Sequence, residues 1–297
     1  MASANTDTTI FETVAIVGVG LIGGSLGMAA KKRSLARRVV GVGRSEPKLM
    51  RAKILGAIDD YSLDFEAGAA EADLVVICTP VRVTVPMLDR MANSLKRGAV
   101  VTDVGSTKRE VVRQASGVMR EGRHFVGGHP MTGSEQAGVE AAFPDLFLGS
   151  TYVLTPAEGT NLRALGKMVS FAEGIGAVVQ IMTPEEHDEA AAVISHLPHA
   201  ISSALLQLAE ASQREGGKTF RLAAGSFRDL TRISDSSPEL WRDICVSNAD
   251  SLSKAVGSFQ AFLEDFKKAL EARDEEAVKR FFEQAREIRQ AYLRIAG

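Results

Sequence analysis

Short β-branched runs and amphipathic stretches alternate along the chain from Thr13 onward. The runs TVAIVGV, VVGVG, ADLVVICT, GAVVTDV and HFVGG are separated by apolar residues at helical spacing. One such stretch reaches to about Lys32, one begins at Pro47, and others follow Thr84 and Thr107. Runs this continuous in apolar residues belong to strands buried on both faces, so the pattern predicts a parallel sheet covered by helices on two sides. TYVLTP and AVVQIMT carry the strand-like pattern to Met182; from Thr183 to Gly297 helical spacing takes over and glycine thins out. The chain thus divides into a loose lead-in over residues 1–12, an α/β domain over 13–182 and an all-helical domain over 183–297. The nine residues GGHPMTGSE, 127–135, show neither period and read as a loop carrying His129.

Within the helical half, AAAVISHLPHAISSALLQLA (190–209) is apolar on most of its circumference. Such a helix has no broad solvent face. A helical domain of this size buries it most easily against a second copy of the chain, which predicts a homodimer through this half.

Composition removes whole classes of function. The 297 residues are 45% hydrophobic and 24% charged, with 35 basic and 37 acidic side chains mixed along the chain for a net charge of -2. No basic stripe is present to neutralise a phosphate backbone or an anionic bilayer, so neither nucleic acid nor a membrane surface is expected as a partner. The two cysteines, Cys78 and Cys245, have neither disulfide-framework nor metal-type spacing and read as reduced thiols of a cytoplasmic protein. The opening MASANTDTTIFET has no targeting pattern, and no apolar run is read as long enough to span a bilayer.

Candidate chemistry begins at VAIVGVGLIGGSLG. Gly18, Gly20 and Gly23 stand in G-x-G-x-x-G spacing directly after the first strand and before the first helix. The first glycine allows the tight turn, the second lets backbone approach a pyrophosphate, and the third lets helix and strand pack closely. The helix-start amides, Leu21 and Ile22 among them, then face the phosphates. This is a dinucleotide site on a Rossmann-type α/β domain. An NAD-binding fold commonly ends its second strand in an acid; here GVGRS places Gly43 there, followed by Arg44 and Ser45, a guanidinium and a hydroxyl suited to a 2′-phosphate. NADP is therefore expected over NAD, with NAD possible. Asp59 and Asp60 lie too far along to replace the acid.

Ligands of open α/β sheets lie beyond the carboxyl ends of the strands. Thr79 and Pro80 of VVICTPV, and Ser106, Thr107 and Lys108 of TDVGSTK, should then face the nicotinamide side. Ser106 can also serve as N-cap of the following helix. Further along, PEEHDEAAAVISHLPHAISS holds His187, His196 and His199, with Pro198 interrupting the helical run, and FRDLTRISDSSP holds Arg228 and Arg232 ahead of a helix-start signal. No acidic or cysteine cluster accompanies His196 and His199, so no metal site is expected.

The glycine loop, DVGSTK, GGHPMTGSE, HDEAAAVISHLPHA and FRDLTRI, in this order, resemble the prephenate/arogenate dehydrogenase family of tyrosine biosynthesis, from about Val14 to past Trp241. The resemblance implies a stand-alone enzyme with a helical dimerisation domain that oxidatively decarboxylates prephenate and/or arogenate. It assigns His129 as hydrogen-bond acceptor for the substrate ring hydroxyl and Ser106 to a place near both that hydroxyl and the nicotinamide. It also assigns Ser134 and Glu135 to the pocket wall and gate, His187 and His199 to substrate binding, and Arg232 to a substrate carboxylate. His196 is left as structural, and Asp235 as a helix cap that could alternatively meet the ammonium of arogenate. Two other readings stay open: a β-hydroxyacid dehydrogenase, for which Lys218 and Lys254 are the available lysines without a matching motif, and a non-catalytic NADP-binding sensor.

Overall fold

The computed structural model describes residues 9–133 and 136–296. Through the first half the order is β1 (Phe11–Val17), α1 (Leu21–Lys32), β2 (Ala36–Val42), α2 (Glu46–Ile54), β3 (Asp60–Ser62), α3 (Phe65–Ala70), β4 (Leu74–Ile77), α4 (Val81–Met91), β5 (Val100–Asp103), α5 (Arg109–Val118), β6 (His124–Pro130), β7 (Thr151–Thr155), α6 (Leu162–Gly174) and β8 (Val178–Ile181). Helices follow: α7 (Pro184–Ala191), a π turn over Ala192–His196, α8 (Leu197–Arg214), α9 (Gly225–Thr231), α10 (Pro238–Ser247), α11 (Ala249–Glu271) and α12 (Glu275–Ala296).

The strands form one sheet in the order β3-β2-β1-β4-β5-β6-β7-β8. Pairing is parallel from β3 to β6, as the buried runs require, but β7 lies antiparallel to β6 and β8 follows β7. The expected parallel sheet is thus extended by two strands of opposite direction, because the connection from β6 to β7 turns the chain back without a crossover helix. Two apolar layers fill the faces: Val14, Ile16, Leu26, Leu74 and Phe171 on one, Ala15, Val17, Val75, Ile77 and Leu88 on the other. Successive residues of β1 and β4 point to opposite layers, so both faces are covered.

Register decides where the functional loops emerge. Val17 pairs with Ile77, and Ile77 with Asp103. The segments after β1, β4 and β5 therefore leave the sheet side by side, at the point where strand order reverses, which is where such sheets bind ligands.

GGHPMTGSE is not all loop. Gly127, Gly128, His129 and Pro130 are the last residues of β6, buried and paired with Thr155, Leu154, Val153 and Tyr152 of β7. The glycines there mark close packing rather than a turn: a Cβ on Gly128 would lie 2.7 Å from the Asp103 carbonyl, and one on Gly127 would collide with Thr155 Oγ1. Pro130 costs no ladder bond because it ends the strand.

Helix α7 starts where the pattern changes. Thr183 and Glu186 form a reciprocal capping box and Pro184 occupies the first turn. The predicted start of α4 shifts forward to Val81, with Pro86 inside the helix. From Pro184 to Arg214 the helix runs 31 residues without a break and is apolar and long enough by composition to cross a membrane, contrary to the reading that no run reaches that length. It nonetheless carries His187, Asp188 and His196 inward, each buried in protein.

By compactness the residues up to Asn248 form one unit and those from Ala249 a second. Within the second unit α11 and α12 make a helical hairpin. Arg273 takes a left-handed turn conformation (φ 52°), Asp274 caps α12 through the Ala277 amide at 2.9 Å, and Phe266 packs on Phe281 at 4.7 Å between ring centroids.

Candidate active site

The glycine loop has the shape a pyrophosphate needs. Gly18 sits at φ +94°, where a Cβ would lie 2.7 Å from the Cys78 carbonyl; a Cβ on Gly23 would collide with the Gly18 carbonyl. Gly20 has open space before it. Helix α1 begins at Gly20 with no side-chain cap and no acid in its first turn, so its amides remain available to an anion. A cleft of ≈400 Å³ opens beside this loop, lined by Gly20, Leu21, Ile22, Gly23, Thr79, Pro80, Ser106 and His129. The chain thus fits a dinucleotide. Thr79 adds a buried hydroxyl with no partner among the described residues, a donor or acceptor facing the same cleft.

At the end of β2, Gly43 is glycine for no packing reason: a Cβ there would make only ordinary contact with Leu49 at 3.6 Å. Arg44 is exposed, and Ser45 begins α2 as N-cap without bonding a helix amide, leaving its hydroxyl uncommitted there.

His129 lines the cleft with one ring edge and is anchored by the other. Its Nδ1 lies 2.8 Å from His187 Nε2, and His187 Nδ1 lies 2.8 Å from Asp188 Oδ1. The carboxylate accepts, so His187 carries its proton on Nδ1; its Nε2 then accepts from His129 Nδ1–H, and His129 Nε2 keeps a lone pair. Burial, then the neighbouring His187, Lys108 and His196, holds the His129 imidazolium well below the usual histidine range. At neutral pH the ring is an acceptor. Burial pushes the Asp188 carboxyl up, but hydrogen bonds from His187 and from the amides of Arg109 and Lys108 outweigh it and keep the group low.

Asp188 explains why Ser106 is not the helix cap. The α5 N-terminus is satisfied across the fold, by Asp188 accepting from the Lys108 amide at 2.7 Å and the Arg109 amide at 3.0 Å. Ser106 is left half-buried on the cleft wall. Thr107 and Lys108 do not face the cofactor side as expected: Thr107 turns to Ser247 at 3.1 Å, and Lys108 is fully buried against Asp103 and the Gly128 carbonyl, 2.9 Å away. A free-standing loop would have exposed both.

The other predicted residues fall in a second place. His199 donates from Nδ1 to the Ser195 carbonyl at 2.9 Å and stacks on Trp241, with ring centroids 3.7 Å apart. Both line a hollow of ≈210 Å³ with Ile233, Ser234 and Cys245. Leu240 and Ile244 line the cofactor cleft while Trp241 and Cys245 line the hollow, so α10 separates the two. Arg232 begins the short turn Arg232–Asp235, exposed and outside the cleft wall. Asp235 is not the cap of α10; Ser237 is, accepting from the Leu240 amide at 3.3 Å. Ser134 and Glu135 lie outside the described residues.

Sequence reasoning missed four participants. Asp188 and Asn248 carried no motif of their own, and Leu240 and Ile244 look like ordinary helix residues. His196, read as structural, is fully buried: Asn248 Nδ2 reaches the Asp188 carbonyl at 2.7 Å and His196 Nδ1 at 3.3 Å. Burial drives its pKa down to about 4.

Comparison with known proteins points to one family over most of the chain. Residues 26–193 match the family model described as prephenate dehydrogenase, nucleotide-binding domain, and residues 183–284 the one described as prephenate dehydrogenase, dimerization domain. A prephenate dehydrogenase of Bacillus subtilis is 39% identical over 94% of this chain and 75% of its own. A cyclohexadienyl dehydrogenase of Zymomonas mobilis is 33% identical over 95% and 97%. The crystal structure of prephenate dehydrogenase from Aquifex aeolicus with hydroxyphenyl propionate and NAD+ superposes with a TM-score of 0.87 at 32% identity, covering 96% of this chain and 98% of that one.

Proposed function

This chain belongs to the prephenate dehydrogenase family, and from that premise we propose that it carries out NAD(P)-dependent oxidative decarboxylation of prephenate, arogenate or both. The observation that carries the reading is the Asp188–His187–His129 chain ending on the wall of a dinucleotide cleft. The substrate class is a cyclohexadiene with a hydroxyl at C4 and a carboxylate at C1. The nicotinamide of the bound cofactor supplies the hydride acceptor for C4. His129 Nε2 accepts the hydroxyl hydrogen bond and takes its proton as the C–O bond becomes carbonyl-like. Loss of the C1 carboxylate as CO2 returns its electron pair through the ring to that oxygen. Reprotonation from His129 completes a phenol. Aromatisation makes the reaction effectively irreversible, and no metal ion is called for.

Ser106, on the same wall, supplies a hydroxyl near the reacting oxygen. His199, across α10 from the cleft, and Arg232, exposed outside the cleft wall, keep the assignment to the substrate side chain and its carboxylate on the family resemblance alone; gripping the departing carboxylate instead would stabilise the ground state more than the transition state. Ser134 and Glu135 keep their assignment to the pocket gate. The rival hydroxyacid reading needs a lysine in the helical half, but Lys218 and Lys254 are both exposed. A sensor without turnover leaves the histidine chain without a task.

Gly43, Arg44 and Ser45 favour NADP. Gly43→Asp introduces the missing acid at a position with room for it, so the variant should lose roughly tenfold or more in kcat/KM with NADP and gain with NAD. The deciding assay follows cofactor reduction with prephenate and with arogenate, each against NAD and NADP. Turnover in any combination supports the reaction; silence in all four, with cofactor still bound, overturns it. The protein is assigned to the cytoplasm and to a homodimer formed through its helical part.

A further inference from the structure

We propose that Asp103 and Lys108 are positioning residues for His129, a side-chain clamp that replaces the sheet ladder where β5 and β6 part. The inference rests on the role given to His129 above. Backbone pairing between β5 and β6 covers only Val100–Thr102 against His124–Val126. Beyond it β5 must diverge to send Ser106 toward the cleft, while β6 continues to His129 paired on its other side with β7. The vacated edge of β6 at Gly128 is not left to water. Its amide donates to Asp103 Oδ1 at 3.2 Å, and its carbonyl accepts from Lys108 Nζ at 2.9 Å. Asp103 Oδ2 meets Lys108 Nζ and accepts from the Gly105 amide at 2.9 Å.

One ion pair therefore grips both backbone groups of the residue before His129 and the residue before Ser106. Both side chains are wholly buried. A buried pair is costly to desolvate, and apolar residues of similar volume commonly replace one without loss of stability. Holding two short segments at a fixed separation is a task those replacements could not perform.

The clamp also reaches His129 through its field. The groups acting on that ring are His187 from α7, Lys108 from the β5–α5 segment and His196 from the π turn, with Asp188 behind His187 and Asp103 behind Lys108. The Lys108 ammonium is among the groups that disfavour imidazolium at His129. Removing it, and leaving Asp103 without its counter-charge, moves the His129 titration to higher pH.

Lys108→Met is the primary test, read by kcat and KM, by calorimetric cofactor affinity, and by NMR titration of His129 assigned with His129→Asn. The clamp predicts kcat lower by roughly a hundredfold, the scale of a misplacement of about 1 Å, with KM and cofactor affinity near wild type and the His129 titration shifted upward. A kcat close to wild type overturns it, as does a lost kcat with the titration unmoved. A raised KM at unchanged kcat also overturns it, since that assigns Lys108 to substrate. If Lys108→Met does not fold, the near-isosteric Asp103→Asn takes its place. It leaves one acceptor oxygen for the Gly105 and Gly128 amides, so the clamp predicts a lowered kcat with KM near wild type, and a kcat close to wild type overturns it. Absence of turnover by the wild type overturns the assigned reaction instead, and the NMR titration still decides the clamp.

Discussion

His129 shows how much of a functional residue lies in its neighbours. Its ring is held by His187 and the backbone of the preceding Gly128 by the Asp103–Lys108 pair, which leaves one ring nitrogen for the hydroxyl assigned to it above. His129→Asn should lower kcat about a hundred- to ten-thousandfold while KM changes little, the range expected for loss of a positioned proton acceptor. Because the imidazolium is disfavoured, the acid limb of kcat/KM should lie below pH 6.5. The same burial makes the fold acid-sensitive. His196 has a folded pKa of about 4 against 6.5 when unperturbed, so its stabilising neutral form is fully favoured above pH 6.5. That advantage is lost as pH falls toward 4, because the unfolded chain binds the proton first. The loss is on the order of 3 kcal/mol, and urea midpoints measured at neutral and mildly acid pH would reveal it. Residue types and motif order made His129, Ser106 and the glycine loop legible in the sequence. Asp188 and Asn248 were not, because each acts through backbone groups that only the tertiary fold brings within reach.

At the scale of elements, the segment from Pro184 to Arg214 decides the alignment of the histidines. Pro198 lacks an amide for the Ile194 carbonyl and would collide with it in a regular helix. The turn immediately before it widens to a π turn over Ala192–His196, which absorbs one residue without ending the helix. The sequence disclosed the proline and an interruption, but not its form, since widening, kinking and termination all satisfy a missing donor. Pro198→Ala permits a regular helix, and residues beyond it would then rotate by about 100° relative to His187. The expected outcome is a melting temperature equal to or above wild type with kcat/KM lower by about tenfold or more, checked by calorimetry beside kinetics. The strands were legible through their β-branched runs. The reversed direction of β7 was not, because a strand buried on both faces reads alike in either direction.

At the scale of the molecule, each of the two units carries exposed apolar side chains on its helices. Within the first unit Val193, Ile194, Leu208, Leu222 and Leu230 are each more than half exposed; within the second, Phe262, Phe282, Ile288 and Tyr292 are too. Apolar exposure on this scale marks an interaction surface, and a second copy is the occupant assigned above. If the proposed dimer forms through this face, wild type should sediment at twice the monomer mass at micromolar concentration and Leu208→Asp at half of that; a monomeric wild type overturns the dimer, and an unchanged variant mass places the interface elsewhere. The stack of His199 on Trp241 has a consequence for the whole molecule, because Trp241 is the only tryptophan in 297 residues. All indole emission therefore originates in one wall of the second hollow, beside an imidazole that quenches strongly once protonated. Burial lowers the His199 pKa, so emission should stay bright through neutral pH and dim only below 6.5. A ligand entering the hollow would change its colour or intensity without any label, which makes the protein its own optical sensor for whatever occupies that wall.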